Sequence, residues 1–259
     1  SGSAVATTSG TSALITMLYA CGIGKGDEVI VPNYTMIATP NAVRAVGATP
    51  VLVDVDARTL TMDIVKAREA VTPRTKAIIL VLANGREPID GVGAFIDLCH
   101  ELDVILLEDA AQALGSFYRD GRAMGTVGTA GMLSFSVPKI ITTGQGGCVL
   151  TSQEDLVAKV KSVKDFGRER GGIDIHPFFG LNFKFTDLQA AVGIAQMRKL
   201  EERILLKKNI YTMYREALAD ITEVRFFDQD LSCTVPWFID VIVPDREEFA
   251  SWLARHHVG

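Results

Sequence analysis

Short apolar runs rich in β-branched residues alternate with amphipathic stretches through the first two-thirds of this sequence. The runs are apolar at successive positions, as strands are when helices cover both faces of a sheet. The predicted strands are 27–32, 49–56, 76–82 and 104–109. The predicted helices between them are 37–47, 61–71 and 92–103. This alternation predicts an α/β fold with a mainly parallel sheet between helices.

The second part of the chain continues the sheet and then changes character. Two further strands are predicted at 131–136 and 146–151, on either side of Lys139. A helical pattern begins near Thr186 and is longer than a typical core helix, so we expect it to bridge to a second domain. Beyond it the sequence offers one strand and one helix, at 233–243 and 245–257.

We therefore divide the chain into two predicted parts. Residues 1–200 form a large domain, and residues 201–259 form the bridging helix and the start of a small C-terminal domain.

Composition excludes several classes of function. The net charge of −5 and the lack of a basic stripe argue against a nucleic-acid partner. Apolar runs fall short of the roughly 20 residues that a membrane-spanning helix needs, and the first ten residues do not resemble a signal peptide. The four cysteines are scattered without metal-site spacing, which is typical of free thiols in a reducing compartment. We expect a cytoplasmic protein with no metal and no membrane partner.

The stretch TTSGTSAL, residues 7–14, stands between a predicted strand and a predicted helix. Small residues let a ligand approach the backbone, and the start of a helix offers free N–H groups and the positive end of the helix dipole. A phosphate group suits such a site. The alternative is an ordinary helix N-cap, because serine, threonine and glycine are standard N-cap residues. Neither a Walker loop nor a GxGxxG motif is present.

Two charged residues lie where chemistry is expected. Asp109 ends a predicted strand, where ligands bind in open α/β sheets, and Gln112 shares that side of the turn. The alternative is that Glu108 and Asp109 cap a following helix. Lys139 lies among small and apolar residues, where burial makes an amine a better nucleophile towards carbonyls. A surface lysine on an edge strand is the simpler alternative.

The order of these features is more specific than any one of them. A phosphate cup, a strand-end aspartate and a lone lysine are what a pyridoxal phosphate site needs. The cup holds the phosphate, Asp109 keeps the pyridine nitrogen protonated, and Lys139 forms the Schiff base.

Five segments also resemble one family, the DegT/DnrJ/EryC1/StrS sugar aminotransferases, and follow its order. They are SGTSAL (9–14), GDEVIVP (26–32), EDAAQALG (108–115), LSFSVPKIITTGQGG (133–147) and GLNFKFTDLQAAVG (180–193). The resemblance implies the fold-type I aminotransferase architecture, with a mainly parallel seven-stranded-type sheet, and a homodimer. It also implies that residues 1–200 are the domain that binds the cofactor. Members of the family have an N-terminal arm before the first motif and most of a small C-terminal domain beyond RHHVG, so we expect a chain without its two ends and an incomplete small domain in 201–259.

The resemblance also implies roles for individual residues. Lys139 forms the Schiff base with pyridoxal 5'-phosphate, Asp109 pairs with the pyridine nitrogen, and Gln112 lies beside the ring hydroxyl. The residues implied for the cofactor phosphate are Thr11, Ser12 and Ser134, with Asn182 reaching the cofactor of the partner subunit.

Three positions depart from the family pattern. Met36 stands where an aromatic residue usually stacks on the cofactor ring, although a thioether also packs well against a ring. Gln145 replaces a glutamate, and Lys184 stands where many relatives have arginine. In the charged loop before Asn182, either Arg168 or Arg170 contacts a sugar diphosphate or the loop is simply solvated. His176 either acts near the segment expected to enter the partner's site, which it precedes, or is an ordinary loop residue.

The implied reaction is transfer of an amino group from L-glutamate to a nucleotide-activated ketosugar for glycan or natural-product biosynthesis. The acceptor carbon is C3 or C4, and we favour a 4-keto-6-deoxy sugar of the perosamine type. Lys139 would then move protons as a general acid and base. A lysine here argues against the family's dehydratase branch, which has histidine. The alternative is a non-catalytic member that binds cofactor or sugar nucleotide in a regulatory role.

Overall fold

A seven-stranded sheet forms the centre of the computed structural model, which describes residues 2–258. Its strands are β1 (Ser3–Thr7), β2 (Glu28–Pro32), β3 (Thr49–Val53), β4 (Thr75–Val81), β5 (Ile105–Asp109), β6 (Ala130–Ser134) and β7 (Gly147–Thr151). Their spatial order is β1-β7-β6-β5-β4-β2-β3. Only β7 runs antiparallel to its neighbours, β1 and β6. The predicted α/β fold with a mainly parallel sheet is confirmed.

Helices from the first part of the chain cover both faces of this sheet. They are α1 (Gly10–Ala20), α2 (Ala38–Ala45), α3 (Ile64–Glu69), α4 (Gly91–Glu101) and α5 (Glu154–Val163). Three more helices follow in the described chain, α6 (Asp187–Met197), α7 (Leu200–Ala217) and α8 (Arg246–Arg255). In β2, Val29 and Val31 enter the core beside α1 and α2, whereas Ile30 enters the core beside α3 and α4. This alternation follows from the two-residue period of a strand and explains why β2 is apolar throughout. Of the helices in the described residues, none is long and apolar enough to cross a membrane.

The single long helix predicted from Thr186 is wrong. Its first part, α6, ends at Met197, and a separate helix, α7, begins at Leu200. The break lets Leu200 and Ile204 pack on a small core that includes Val235 and Trp237. A tertiary contact thus overrides a continuous helical pattern.

The strand predicted at 233–243 is also largely wrong. Only Val241–Ile242 form a strand, β9, which pairs with β8 (Arg225–Phe226) in a separate two-stranded sheet. Residues 233–240 instead form hydrogen bonds to the main domain, because the Val235 amide donates to Ser116 Oγ at 2.9 Å. The helix α5 was not predicted from the sequence.

Glu108 is a buried carboxylate that fixes the loop between β5 and β6. Its Oε1 accepts hydrogen bonds from the Tyr118 hydroxyl at 2.6 Å and the Gly125 amide at 2.8 Å. Its Oε2 accepts from the amides of Val127 at 2.6 Å and Gly128 at 2.7 Å. All residues of 110–129 are described and none is helical, so Glu108 caps no helix. Its role is to anchor this loop.

Replacing Glu108 by glutamine tests this role. The amide NH₂ of glutamine would face donors where the carboxylate accepts, so we expect Glu108→Gln to lower the free energy of unfolding by about 2 kcal/mol or more. Chemical denaturation measures the change. Glu101→Gln is the matched control, because Glu101 is 56% exposed and pairs only with Arg68 at the surface. Its loss should stay below about 1 kcal/mol. Equal effects of the two substitutions would contradict the anchoring role of Glu108.

Candidate active site

A cleft of about 670 Å³ lies where the carboxyl ends of β4, β5 and β6 meet the start of α1. The predicted site residues that line it are Thr11, Asp109, Gln112, Ser134 and Lys139. A wider depression of about 810 Å³ lies beside α7, near Tyr211 and Asp228, and contains none of the predicted residues. The cleft at the strand ends is therefore the candidate active site, as expected for an open α/β sheet.

The start of α1 combines a helix cap with a place for an anion. Ser9 Oγ accepts the Ser12 amide at 3.0 Å, and Ser12 Oγ accepts the Ser9 amide at 2.8 Å, which forms a capping box. Ser12 is thus buried in the cap, while Gly10 and Thr11 line the cleft. Amides in the first turn have no intrahelical acceptor, so those of Gly10 and Thr11 can bind an anion.

Gly10 lets α1 begin unusually close to the end of β6. A Cβ atom at this position would lie 2.9 Å from Ser134 Cβ and 2.9 Å from Met132 Cε, which is too close for any side chain. The contact brings the hydroxyl of Ser134, the last residue of β6, beside the first turn of α1. Backbone amides and a hydroxyl therefore converge on one corner of the cleft.

Asp109 ends β5 and is buried at the bottom of the cleft. Thr39 Oγ1 donates to its Oδ2 at 2.8 Å, and the Ala111 amide donates to its Oδ1 at 3.1 Å. Burial raises the pKa of Asp109, while these two hydrogen bonds and the charge of Lys139 oppose the rise. An ionised carboxylate has about four acceptor positions, so Asp109 can accept another donor, such as a protonated ring nitrogen.

Lys139 lies in the loop between β6 and β7 and is half-buried. Burial lowers the pKa of Lys139 to about 8, and the charge of Asp109 partly offsets this effect. At that pKa about a tenth of the amines are neutral at pH 7, far more than for an ordinary exposed lysine. The position is therefore that of a reactive amine rather than of a surface lysine.

Two residues of the cleft that sequence reasoning missed lie next to the predicted ones. Asn84 follows β4 and has a φ of 52°, in the left-handed region, and its amide donates to Gln112 Oε1 at 2.9 Å. The Asn-Gly pair after a strand is a turn signal that could have drawn attention to it. Thr39, the partner of Asp109, lies on α2 and carries no such signal.

Trp237 and Phe238 form an aromatic wall of the cleft that sequence reasoning also missed. Their rings stack with centroids 3.8 Å apart, and Trp237 Nε1 donates to the Pro138 carbonyl at 2.8 Å. The Lys139 Nζ lies 3.4 Å from the centroid of the Trp237 ring. The wall comes from a segment distant in sequence, so no local pattern indicates it.

Of three other positions singled out from the sequence, two line the cleft and one lies outside it. Asn182 is exposed on the surface, in the segment before α6. Met36 lines the cleft and is 64% exposed, and its Sδ accepts the Ala38 amide at 3.1 Å. Gln145 also lines the cleft, and its carbonyl accepts a hydrogen bond from Gln189 Nε2 at 2.6 Å.

The charged loop before Asn182 is held by its own ion pairs. Asp174 Oδ1 lies 3.1 Å from Arg168 Nη2 and 3.1 Å from His176 Nε2. Lys184 pairs with Asp165 at 2.8 Å. In this arrangement the side chains of Arg168 and His176 serve the loop itself.

Comparison with known proteins identifies the family of this chain. The family model described as the DegT/DnrJ/EryC1/StrS aminotransferase family matches residues 1–259. A GDP-perosamine synthase from Caulobacter vibrioides is 40% identical over 83% of this chain and 57% of its own length. A GDP-perosamine synthase from Escherichia coli O157:H7 is 34% identical over 97% of this chain and 69% of its own length.

The fold agrees with solved structures as well. The aminotransferase TlmJ from Streptoalloteichus hindustanus superposes with a TM-score of 0.90 at 31% identity, covering 98% of this chain and 69% of that one. The chain thus spans little more than half of the Caulobacter relative and about two-thirds of the others. The match along the entire sequence and the shared fold show that this chain belongs to the DegT/DnrJ/EryC1/StrS aminotransferase family.

Proposed function

We propose that the protein binds pyridoxal 5'-phosphate in the cleft and transfers an amino group from L-glutamate to a nucleotide-linked keto-deoxysugar. The acceptor carbon is C3 or C4, and a 4-keto-6-deoxy sugar is our first choice. One observation carries the proposal: helix-terminal amides, a buried carboxylate and an amine of lowered pKa line a single cleft. The GDP-perosamine synthases among its relatives support the class of acceptor.

The donor groups of the cleft fit this cofactor. The amides of Gly10 and Thr11 and the hydroxyl of Ser134 suit the phosphate, and Asp109 has acceptor capacity for the pyridine nitrogen. We assign Ser12 a different part from the one that the resemblance implies. Because its amide and hydroxyl both bond to Ser9, it would hold the helix start in place.

Bound in this cleft, the cofactor would supply an electron sink that stabilises negative charge on the substrate carbon. The protein itself would supply the proton transfers. The free amine of Lys139 takes a proton from the substrate carbon and returns it at a neighbouring atom, as a general base and then acid. Asp109 keeps a negative charge facing the ring nitrogen. Gln112 Oε1 accepts the backbone amide of Asn84, so the Nε2–H groups of Gln112 are presented to the ring substituents.

A second copy of the chain is the proposed partner of the face around α6. Within the described structure no residue of α6 is buried, and its apolar side chains are exposed, with Leu188 at 82%. Beside them a groove of about 520 Å³ includes Phe135 and Ile141, which belong to the loop that carries Lys139. A partner on this face would therefore lie next to the cleft. We propose that Asn182, just before α6, then reaches the partner's cofactor phosphate.

The four cysteines support a reducing compartment. Cys21, Cys99, Cys148 and Cys233 are all free thiols, as they would be in the cytoplasm, where we place the reaction.

The proposed reaction depends on the amine of Lys139. The purified protein should turn yellow with pyridoxal phosphate, convert glutamate to 2-oxoglutarate and add an amino group to one of a panel of nucleotide ketosugars, read by mass. Lys139→Arg keeps the positive charge but not the reactive amine, so we expect it to lower the transfer rate by about a thousandfold or more. Lys164→Arg, at another partly buried lysine, is the control and should retain activity.

Two results would separate the alternatives. Cofactor binding without conversion of glutamate or any ketosugar would favour the regulatory reading. A Lys139→Arg protein as active as the unaltered one would contradict the enzyme mechanism itself.

The proposed dimer depends on the apolar face of α6. Leu188→Glu together with Ile194→Glu places two charges on the apolar face of α6, so we expect the dimer to dissociate to monomers in sedimentation experiments. Val65→Glu is the control, because Val65 is 57% exposed on α3, away from α6. A doubly substituted protein that remains dimeric at the same concentrations would show that another surface forms the dimer.

A further inference from the structure

The ammonium group of Lys139 lies against an aromatic face rather than against the nearest carboxylate. Its Nζ is 3.4 Å from the centroid of the Trp237 ring, and Trp237 is only 9% exposed. Asp109 acts on Lys139 through its charge, whereas the hydrogen bonds of Asp109 come from Thr39 and Ala111. The two charged groups of the cleft are therefore neighbours that remain separate.

The indole is fixed at its edge to the chain beside the lysine. Trp237 Nε1 donates to the carbonyl of Pro138, the residue before Lys139, at 2.8 Å. The Phe238 ring stacks on the indole, and Lys207 Nζ donates to the Trp237 backbone carbonyl at 2.9 Å. The ring that meets the amine thus has little freedom to turn.

An ion pair behind the aromatic wall fastens this segment to the end of β4. The Asp240 carboxylate accepts hydrogen bonds from Arg86 Nη1 at 2.8 Å and Nη2 at 2.7 Å, and from Asn84 Nδ2 at 2.8 Å. The side chain of Arg86 is 3% exposed, and Asn84 Oδ1 accepts the Phe238 amide at 3.2 Å. Asn84 therefore contacts both the segment that carries Trp237 and the cofactor-facing Gln112.

We propose that Trp237 is a positioning residue that holds the free ammonium of Lys139 on its indole face and so keeps it from pairing with Asp109. The inference rests on the proposed function, because a cofactor ring nitrogen that binds Asp109 gives the reason to keep Lys139 and Asp109 apart. An ion pair between Lys139 and Asp109 would occupy the acceptor that a ring nitrogen needs. The negative face of the indole attracts an ammonium without giving it a proton acceptor, so the amine stays available for reaction.

The surrounding charges determine what happens when the ring is removed. Asp109 on β5 is the carboxylate whose charge acts on Lys139, and Lys207 on α7 is directed to the Trp237 carbonyl. Asp240 is satisfied by Arg86 and Asn84. If the indole is removed and the cleft excludes water as before, we therefore expect the ammonium of Lys139 to move to Asp109.

The test measures the pKa of Lys139 in the cofactor-free protein by competitive acetylation over a pH series, with the modified peptide quantified by mass spectrometry. In Trp237→Leu the new ion pair would favour the charged amine, so we expect the pKa to rise by about one unit above its value near 8. Trp237→Phe keeps an aromatic face and should leave the pKa nearly unchanged. The double variant Trp237→Leu with Asp109→Asn should lose the rise.

Each outcome is decisive for the positioning role. A pKa that stays the same or falls in Trp237→Leu, or a rise that persists without Asp109, would overturn it. Trp237→Met serves if the leucine variant does not fold, because methionine also lacks an aromatic face. The measurement needs neither cofactor nor substrate, so its failure is distinguishable from a failure of the proposed aminotransferase reaction, which the Lys139→Arg experiment tests.

Discussion

Two successive carboxylates at the end of the buried strand β5 determine how the following loop is held and what the cleft can bind. Because adjacent side chains of a strand point to opposite faces, Glu108 and Asp109 enter different layers of the molecule. Glu108 accepts four hydrogen bonds from the loop that follows and is fully satisfied. Asp109 accepts from Thr39 and Ala111 and keeps acceptor capacity facing the cleft. Glu108 therefore stabilises the fold, and Asp109 remains available for a ligand.

The other parts of the site come from elements that the parallel sheet brings to the same edge. Gly10 allows α1 to start against the end of β6, which places free amides beside Ser134. The loop after β6 carries Lys139 into the cleft, and a segment from the far end of the chain covers it with Trp237. The Arg86–Asp240 pair holds that segment in position, so the surroundings of the Lys139 amine depend on contacts between residues distant in sequence.

Sequence reasoning identified the parts whose signals are local. Strands apolar on both faces predicted the sheet, and the strand-end Asp109 and the lone Lys139 indeed line one cleft with Thr11, Gln112 and Ser134. It did not distinguish a helix cap from a ligand at Ser12, because the same hydroxyl suits both uses and only the geometry shows which one is made.

The remaining features depend on contacts distant in sequence. The helical pattern after Thr186 contains no break signal, yet packing of Leu200 and Ile204 against Val235 divides it. Apolar residues around Trp237 resemble a strand, but their backbone groups bond to Ser116 and Asn84 instead of a neighbouring strand. Thr39 supports Asp109 from another helix. No short window of sequence contains both partners of any of these contacts.

We expect one cleft to bind the cofactor, with its phosphate at the start of α1 and its ring beside Lys139 and Asp109. A crystal structure of the protein with pyridoxal phosphate is the decisive experiment. We expect the phosphate at the Gly10 and Thr11 amides, the ring nitrogen within hydrogen-bond distance of Asp109, and continuous density from the ring to Lys139 Nζ. A phosphate bound elsewhere, or a cofactor attached to another lysine, would contradict the account.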